Sequence, residues 1–402
     1  MATATVRSHG RVAAGDERRG SSTESAAAFR RIDSLDLVRG LVMVLMAIDH
    51  VRVYSGVPAG GPTPGVFFTR WITHFCAPAF VFFAGTAAFL KGQKLGRADL
   101  ARYLLTRGLL LIVLELTIIR ASWTFSLDYS KFLLAGVIWM LGWCMVLLAG
   151  LIRLPVRAIG IIGLLIIVGQ NLFGALGGAL PPFMQPLWEF IYPVGSEVRL
   201  GAGGPAVTVL YTIVPWIGVM AAGYAFGMVM IRPDAGRQCV RIGLAATLLF
   251  VCLGGLAAVM QGGSPDAPPL WMRFLNQRKY PASPLFLLMT LGPMIGLIPF
   301  ADRARGWFAQ VLTTFGRVPM FYYLLHIPLI HALALVVYYL RDGAAHAERF
   351  ATAPYVSMPP DQRWGLGLLY VVWLVAVAIL YPLCRWYAQV KARRPDSWLR
   401  YI

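Results

Sequence analysis

Charged residues are scarce in this sequence. Only 13% of its 402 residues carry a formal charge, and 58% are hydrophobic, whereas soluble domains are about 25% charged. A soluble globule of this length could not bury so much apolar surface. The composition therefore excludes an ordinary soluble domain and indicates an integral membrane protein.

Several chemical signatures are missing as well. The five cysteines lie far apart and form no C-x-x-C pair, which argues against a disulfide framework or a structural zinc site. His74 and Cys76 form an isolated H-x-C without further spaced ligands, so we predict that no metal is bound. The sequence has no G-x-S-x-G, H-E-x-x-H or Walker motif. No basic run is interleaved with exposed aromatics, so we expect no nucleic-acid partner.

Apolar stretches of a length that spans a bilayer are abundant. Ten of them lie near 37–56, 72–90, 103–119, 132–151, 156–176, 206–231, 239–260, 284–301, 318–340 and 364–387. The two tails and every second loop hold 24 of the 36 Lys and Arg residues, against 10 in the remaining, longer loops. By the positive-inside rule, we predict an all-α bundle of about ten transmembrane helices with both the N-terminus and the C-terminus in the cytoplasm.

This topology divides the chain into three parts. We assign residues 1–33 to a disordered basic cytoplasmic tail, because the segment is rich in Ala, Ser, Gly and Arg and has no apolar core of a signal peptide. Residues 34–390 form the membrane domain, and residues 391–402 form a second cytoplasmic tail.

Ionisable residues inside the predicted spans are the strongest functional candidates, because each is costly in lipid unless it is paired or wet. With a rise of about 1.5 Å per residue, the predicted orientation brings several of them into one layer in the outer half of the membrane. This layer contains Asp49, His50, His74, Glu115, His326 and His331, with Arg52 and Arg70 near the outer boundary; Asp36 and Arg39 lie near the cytoplasmic one.

Most of these residues also have a purely structural explanation, which the sequence leaves open. The explanations are an i,i+3 ion pair between Asp36 and Arg39, snorkelling of Arg52 and Arg70, pairing of Glu115 with Arg120, and a helix–helix hydrogen bond from His331.

The Asp49–His50 dipeptide favours a functional interpretation. Adjacent residues point about 100° apart on a helix, so Asp49 should not orient His50. It could instead reach His74 or His326 on another helix and fix the tautomer of that ring. A carboxylate that holds an imidazole as general base is the arrangement that acyl transfer uses.

Three segments carry a family resemblance. Residues 31–40 follow the pattern R-x-x-S-L-D-x-x-R-G and lead to Met46, Asp49 and His50. Residues 75–86 are similar to F-P-x-F-x-F-x-x-G-x-S/T, and residues 315–326 to G-x-x-P/S-x-x-x-Y-x-x-H. Together they resemble the heparan-α-glucosaminide N-acetyltransferase-like membrane proteins and related transmembrane acyltransferases.

The resemblance implies an enzyme that takes an acetyl group from acetyl-CoA on the cytoplasmic side. It would pass the group to an acceptor on the far side, a small molecule or glycan with a sugar amine or hydroxyl, using a histidine as base or transient acetyl carrier. We therefore sort the candidates into a catalytic group (His50, Asp49, His74, His326), a donor-binding group (Arg39, Asp36, Arg52) and an acceptor-binding group (Glu115, Arg70, His331). The basic stretch 91–107 is a further candidate for the CoA phosphates, with a plain topology signal as its alternative.

The sequence also departs from the lysosomal members of that family. Its first outer loop, 57–69, has neither their histidine nor their Trp-Asn-Gly triplet, and His74 stands where they have an aspartate four residues before the proline. We therefore do not expect heparan sulfate as the acceptor. The chain resembles a bacterial-type branch located in the inner (plasma) membrane.

Two other functions remain open at this stage. One is O-acyl transfer, such as succinyl transfer to periplasmic glucans, within the same enzyme class. The other is a proton-coupled transporter or exporter, in which the same ionisable residues would relay protons; the lack of a visible internal repeat argues against it. A homodimer is one option for the assembly.

Overall fold

The computed structural model of this protein describes residues 13–61, 63–192, 195–201, 203–262 and 267–394, with the backbone alone for residues 13–32. The helices are α1 (Ala13–Ser55), α2 (Pro64–Trp71), α3 (Cys76–Gly92), α4 (Arg97–Leu114), α5 (Arg120–Thr124), α6 (Val137–Leu151), α7 (Val156–Gly178), α8 (Gln185–Ile191), α9 (Trp216–Met230), α10 (Ala235–Met260), α11 (Leu270–Leu275), α12 (Pro284–Arg303), α13 (Trp307–Arg317), α14 (Pro319–Asp342) and α15 (Leu366–Arg393). Short 3-10 turns occupy Ile72–Phe75, Pro182–Met184, Ala347–Phe350 and Pro360–Gln362, and a π-helical turn, Glu115–Ile119, joins α4 to α5.

Six helical segments are long and apolar enough to cross a membrane: Pro64–Gly92, α7, α10, α12, α14 and α15. Helices α6 and α9 are apolar but shorter. Only 17% of the most apolar window of α7 is buried, against 78% for Pro64–Gly92, so α7 presents its apolar side chains to lipid while α3 belongs to the core. The prediction of an all-α membrane protein is confirmed at this level. The count of ten spans and the side of the termini stay predictions.

The structure describes only part of the two predicted tails. Helix α1 begins at Ala13, so the backbone from there to residue 33 is helical although we assigned residues 1–33 to a disordered tail. Residues 1–12 and 395–402, which belong to the two predicted tails, lie outside the described residues. The boundaries of the membrane domain stay a prediction.

Helix α1 packs against α3, α12, α13, α14 and α15 and so forms the axis of the bundle. Two glycines allow its close approach to α13. A Cβ atom on Gly40 would overlap the carbonyl oxygen of Leu312, and one on Gly316 would overlap the carbonyl oxygen of Asp36. The sequence segments 31–40 and 315–326, far apart along the chain, therefore meet through the glycines that both contain.

A three-stranded sheet is the main departure from the predicted all-helical pattern. Strands β1 (Phe132–Ala135), β2 (Glu197–Arg199) and β3 (Ala206–Val209) lie in the order β1-β3-β2, with β1 parallel and β2 antiparallel to β3. The predicted spans 132–151 and 206–231 were therefore wrong at their beginnings. Gly136 and Pro215 interrupt the apolar runs, so that the helices begin only at Val137 and Trp216.

Candidate active site

Two cavities approach each other from opposite ends of the bundle. The first, which we call the basic cavity, is lined by five cationic side chains and an apolar inner end: Arg39, Lys91, Arg107, Arg317 and Lys391, then Met43, Leu111, Met145 and Met320. The second, the aromatic cavity, holds about 510 Å³ and is lined by His50, Trp123, Tyr211, Tyr280 and Tyr355 among others. Val137 and Tyr323 line both cavities. We call this place the junction.

A pair of histidines lies beside the junction. His50, on α1, lines the aromatic cavity, and its Nδ1 lies 2.6 Å from Nε2 of His326 on α14. His326 is fully buried behind it, with its Nδ1 2.7 Å from the carbonyl oxygen of Tyr323. The edge of Trp123 packs on the His50 ring at a centroid distance of 4.9 Å. Both rings are therefore held in place from several sides.

The carbonyl of Tyr323 determines which nitrogen atoms carry protons. A carbonyl oxygen can only accept, so Nδ1 of His326 must donate, and Nε2 of a neutral His326 is then an acceptor. Nδ1 of His50 donates to it, which leaves the lone pair on Nε2 of His50. The arrangement assigns the free basic nitrogen to His50, the histidine that lines a cavity. A general base or a nucleophile needs such a nitrogen.

Asp49, next to His50 in the chain, is engaged by arginines. Its Oδ1 accepts from Nε of Arg52 at 2.8 Å, and its Oδ2 accepts from Nη1 of Arg70 at 2.5 Å. The contact that we predicted between Asp49 and a histidine on another helix is therefore wrong. The carboxylate instead fixes two arginines in the wall of the aromatic cavity, and these do not simply snorkel to the interface.

Glu115 has a different partner from the one we considered. It lies in the π-helical turn, and its Oε2 accepts from the backbone N–H of Ile138 at 3.0 Å, at the N-terminus of α6. A Cβ atom on Gly136 would overlap Oε1 of Glu115. Arg120 binds carbonyl oxygens, including that of Phe132 at 2.8 Å, rather than Glu115. Glu115 thus ties the start of α6 to the wall of the aromatic cavity.

A known protein family matches this chain. The family described as "heparan-alpha-glucosaminide N-acetyltransferase, catalytic" matches residues 31–257, which is more than half of the chain. The chain belongs to this family. The match begins at Arg31 and includes Asp49 and His50. No match was found among the curated proteins.

Membership in the heparan-alpha-glucosaminide N-acetyltransferase family confirms the resemblance that the sequence showed. It also confirms, in general terms, a membrane transferase of acetyl groups. His326 lies beyond the matched residues, yet it contacts His50 within them. The last third of the chain therefore completes the site that the matched part begins.

The structure separates two of the predicted site histidines from the pair. His74 lies in the 3-10 turn Ile72–Phe75 and packs on Phe286 at 5.4 Å between centroids. Nδ1 of His331 donates to the carbonyl oxygen of Ser122 at 3.2 Å, because a carbonyl oxygen can only accept. Its ring stacks on Phe125 at 3.8 Å. Neither ring lines the basic cavity or the aromatic cavity, which supports the structural explanation for His331.

The predicted donor-binding group is also split. Arg39 pairs with Asp36 at 2.8 Å and lines the basic cavity, whereas Arg52 lines the aromatic cavity. The reason is distance along α1, because 13 residues of helix span roughly 20 Å. The basic stretch 91–107, in contrast, contributes Lys91 and Arg107 to the same cavity as Arg39.

Sequence reasoning missed several residues of these walls. Arg317 and Lys391 were counted only as topology signals, although both line the basic cavity. Val137, Tyr323 and Trp123 carry no charge, so a search for ionisable groups in apolar segments could not select them. The tyrosine and glycine of the segment 315–326 were the available signal for Tyr323.

Removal of the Asp49 carboxylate should destabilise the protein. The Asp49→Ala variant leaves Arg52 and Arg70 without their shared anion in a largely buried position, and breaking such a pair costs about 3 kcal/mol. We expect this loss in the free energy of unfolding, measured by denaturant titration in detergent. The control is Asp128→Ala, a half-exposed carboxylate that hydrogen bonds from Ser130 keep at a lowered pKa and hence charged. Equal stability of the two variants would contradict a structural role for Asp49.

Proposed function

We propose that this protein transfers an acetyl group from acetyl-CoA in the basic cavity to an amine or hydroxyl of a sugar or other small acceptor in the aromatic cavity. One observation carries the proposal: the two cavities share Val137 and Tyr323, and His50 lies beside them with a free basic nitrogen. Donor and acceptor can therefore meet at the junction while each enters from its own side.

The basic cavity suits a CoA thioester. Among the described residues, Arg39 and Arg317 pair with Asp36 and Asp33, whereas no ion pair involves Lys91, Arg107 or Lys391. Arg107 donates to the Tyr103 hydroxyl at 2.7 Å and Lys91 lies over the Tyr103 ring at 3.6 Å, but these partners are neutral, so the positive charge of all three side chains remains for phosphate groups. The apolar inner end, formed by methionine and leucine side chains, suits the pantetheine arm and leads to the junction.

The aromatic cavity suits a polar ring or a small polar molecule. Tyrosine hydroxyls donate and accept hydrogen bonds, and the rings of Trp123 and Tyr355 offer flat apolar faces. Arg70 and Glu115 add one cationic and one acidic group to the wall. Such a mixed lining is suited to an acceptor that has both hydroxyl or amine groups and apolar faces.

The chemistry follows from the lone pair on Nε2 of His50. As the acceptor nitrogen or oxygen attacks the thioester carbonyl, His50 takes its proton; the C–S bond then breaks, and the proton passes from His50 to the leaving CoA sulfur. In the alternative sequence, Nε2 of His50 attacks the carbonyl first, the C–S bond breaks and CoA leaves as the thiolate, and the acetyl group stays on Nε2. The acceptor then attacks this acetyl carbon, the bond from carbon to Nε2 breaks, and the proton of the acceptor passes to Nε2 and from there to the thiolate. His326 supports both sequences, because the hydrogen bond from Nδ1 of His50 orients the ring and stabilises positive charge on it.

The direction of transfer follows from the charges around the basic cavity. Four of its five cations, Lys91, Arg107, Arg317 and Lys391, belong to the chain segments that the positive-inside rule assigns to the cytoplasm, where acetyl-CoA would be supplied. The aromatic cavity then opens on the far side, which in a bacterial-type cell means the outer face of the inner membrane.

The test is a trapping experiment on the purified protein in detergent, with radiolabelled acetyl-CoA and with glucosamine as the amine probe. Covalent label without glucosamine would support the acetyl-carrier sequence. Bound acetyl-CoA that is released as CoA only when glucosamine is added would support direct transfer. If acetyl-CoA neither binds nor reacts, the proposal is wrong, and transport assays in vesicles should follow.

The cations of the basic cavity should control donor affinity. We expect Arg107→Ala and Lys391→Ala each to raise the dissociation constant of acetyl-CoA about tenfold, because a hydrogen bond between charged groups contributes roughly 1.5–3 kcal/mol. Isothermal titration in detergent measures the constant directly. Lys131→Ala, which removes a lysine whose side chain is 85% exposed outside this cavity, is the control. Unchanged affinity in both cavity variants would place CoA elsewhere.

A further inference from the structure

We infer that Val137 and Tyr323 select the length of the transferred acyl group, accepting acetyl and rejecting longer chains. The inference rests on the proposed function, since it concerns the same junction. It assigns a role in specificity to two residues whose side chains take no part in the proposed reaction. Their shared property is position, because both belong to the walls of both cavities.

Val137 forms the first wall of the junction, and contacts with Glu115 fix the backbone on either side of it. Val137 is the first residue of α6 and follows Gly136 directly. Gly136 lies so close to the Glu115 carboxylate that it has no room for a Cβ atom, and the next residue, Ile138, donates its N–H to Oε2 of Glu115 at 3.0 Å. The start of α6 is therefore anchored on both sides of Val137, and its backbone cannot retreat to admit a larger group.

The second wall is part of the histidine pair itself. Tyr323 is only 4% exposed. Its ring meets His326 edge-on at 5.0 Å and His50 at 6.5 Å between centroids, and its carbonyl oxygen accepts from Nδ1 of His326. A shift of the Tyr323 ring away from the junction would disturb its edge-on contact with the His326 ring.

The geometry of acyl transfer directs the acyl chain toward these walls. The attacking atom arrives from the aromatic cavity, and the sulfur leaves toward the basic cavity. The two directions that lead from the reacting carbon into the cavities are therefore both occupied. The carbonyl oxygen and the rest of the acyl group must then point sideways. For acetyl this substituent is a single methyl group; each further methylene must fit against Val137 or Tyr323.

Fixed walls discriminate between chains that differ by one methylene. In a hydrophobic pocket one methylene changes kcat/KM by about 10- to 200-fold, because closely packed interiors accept extra volume poorly. We therefore expect wild-type protein to prefer acetyl-CoA to propionyl-CoA by a factor in this range, and butyryl-CoA to be a weaker donor still.

The experiment compares kcat/KM for acetyl-, propionyl- and butyryl-CoA, with glucosamine as the acceptor and CoA release as the readout. Val137→Ala should raise the ratio of propionyl to acetyl transfer about tenfold, and Val137→Ile should lower it. Tyr323→Phe keeps the ring and should leave the ratio near that of the wild type. Val336→Ala, at a valine 53% exposed on α14, is the matched control and should behave as wild type throughout.

The outcomes separate this inference from the proposed function. Acetyl transfer by the wild type, together with a donor ratio that is the same in Val137→Ala, Val137→Ile and wild type, would overturn the inference and leave the function standing. Opposite shifts in the two Val137 variants would support it, and loss of folding in one variant would still leave the other to decide. If the wild type neither binds acetyl-CoA nor releases CoA from any of the three donors, both the function and the inference are wrong.

Discussion

Replacement of His50 by alanine should lower kcat by about 10²–10⁴-fold, the range that a positioned general base contributes. The reason is that His50 alone of the two paired histidines lines the aromatic cavity, and the hydrogen-bond order from the Tyr323 carbonyl leaves the basic lone pair on its Nε2. The dissociation constant of acetyl-CoA should change little, because the cations proposed to bind CoA line the basic cavity, whereas His50 lines the aromatic cavity.

The measurement is CoA release with and without glucosamine, together with covalent label from radiolabelled acetyl-CoA. The His346→Ala variant is the matched control, because His346 lies in the segment between α14 and α15 near Asp342 and Glu348. Full activity of His50→Ala would remove His50 from the chemistry. Loss of activity in His74→Ala with full activity in His50→Ala would instead favour the predicted role of His74, a ring that the structure packs against Phe286.

Physical arguments about charge in lipid pointed to residues that line the aromatic cavity. The cost of an ionisable group at membrane depth selected His50, His326, Asp49 and Glu115 from the sequence, and three of these four line the aromatic cavity. What the sequence could not supply was partner choice. His50 meets His326 across 276 positions of the chain, while Asp49 pairs with arginines, because a rotation of a helix by one residue changes which neighbour a side chain meets.

Residues without charge show the opposite limit. The glycines of the segments 31–40 and 315–326 could be recognised as part of a pattern, but only the close contact of α1 with α13 shows why a side chain is excluded at Gly40 and Gly316. No feature of the sequence marked Val137 as a site residue, because a valine after a glycine in an apolar run is typical of any membrane helix. The strands were missed for a related reason: short apolar runs do not distinguish a strand from the first turn of a helix.

Lysines and arginines near the predicted cytoplasmic boundary were ambiguous in another way. The same residues report topology and can bind phosphate, so counting them cannot separate the two roles. The structure groups Lys91, Arg107, Arg317 and Lys391 around one cavity. Convergence of side chains from four helices on one place is more than topology requires, and it is the reason for proposing that these residues bind the donor.

His326 should act as a positioning residue, and two substitutions can show this. His326→Leu removes the acceptor of the hydrogen bond from Nδ1 of His50, so the His50 ring loses its orientation and the stabilisation of its charged form. We expect kcat to fall about 10²–10⁴-fold, as for other bases that lose their orienting partner, while KM for acetyl-CoA changes little. His326→Gln supplies an amide oxygen that can accept the same hydrogen bond and should recover much of the lost kcat.

The comparison of these two variants distinguishes orientation from packing. Both replace a fully buried ring by a smaller side chain, so a purely structural effect would lower stability in both without recovery of kcat in His326→Gln. Equal kcat in His326→Leu and His326→Gln, at equal thermal stability in detergent, would contradict the role of His326. Recovery in His326→Gln alone would support the positioning role of His326, because the glutamine amide can hydrogen bond to Nδ1 of His50 and leave Nε2 to take up the proton or the acetyl group.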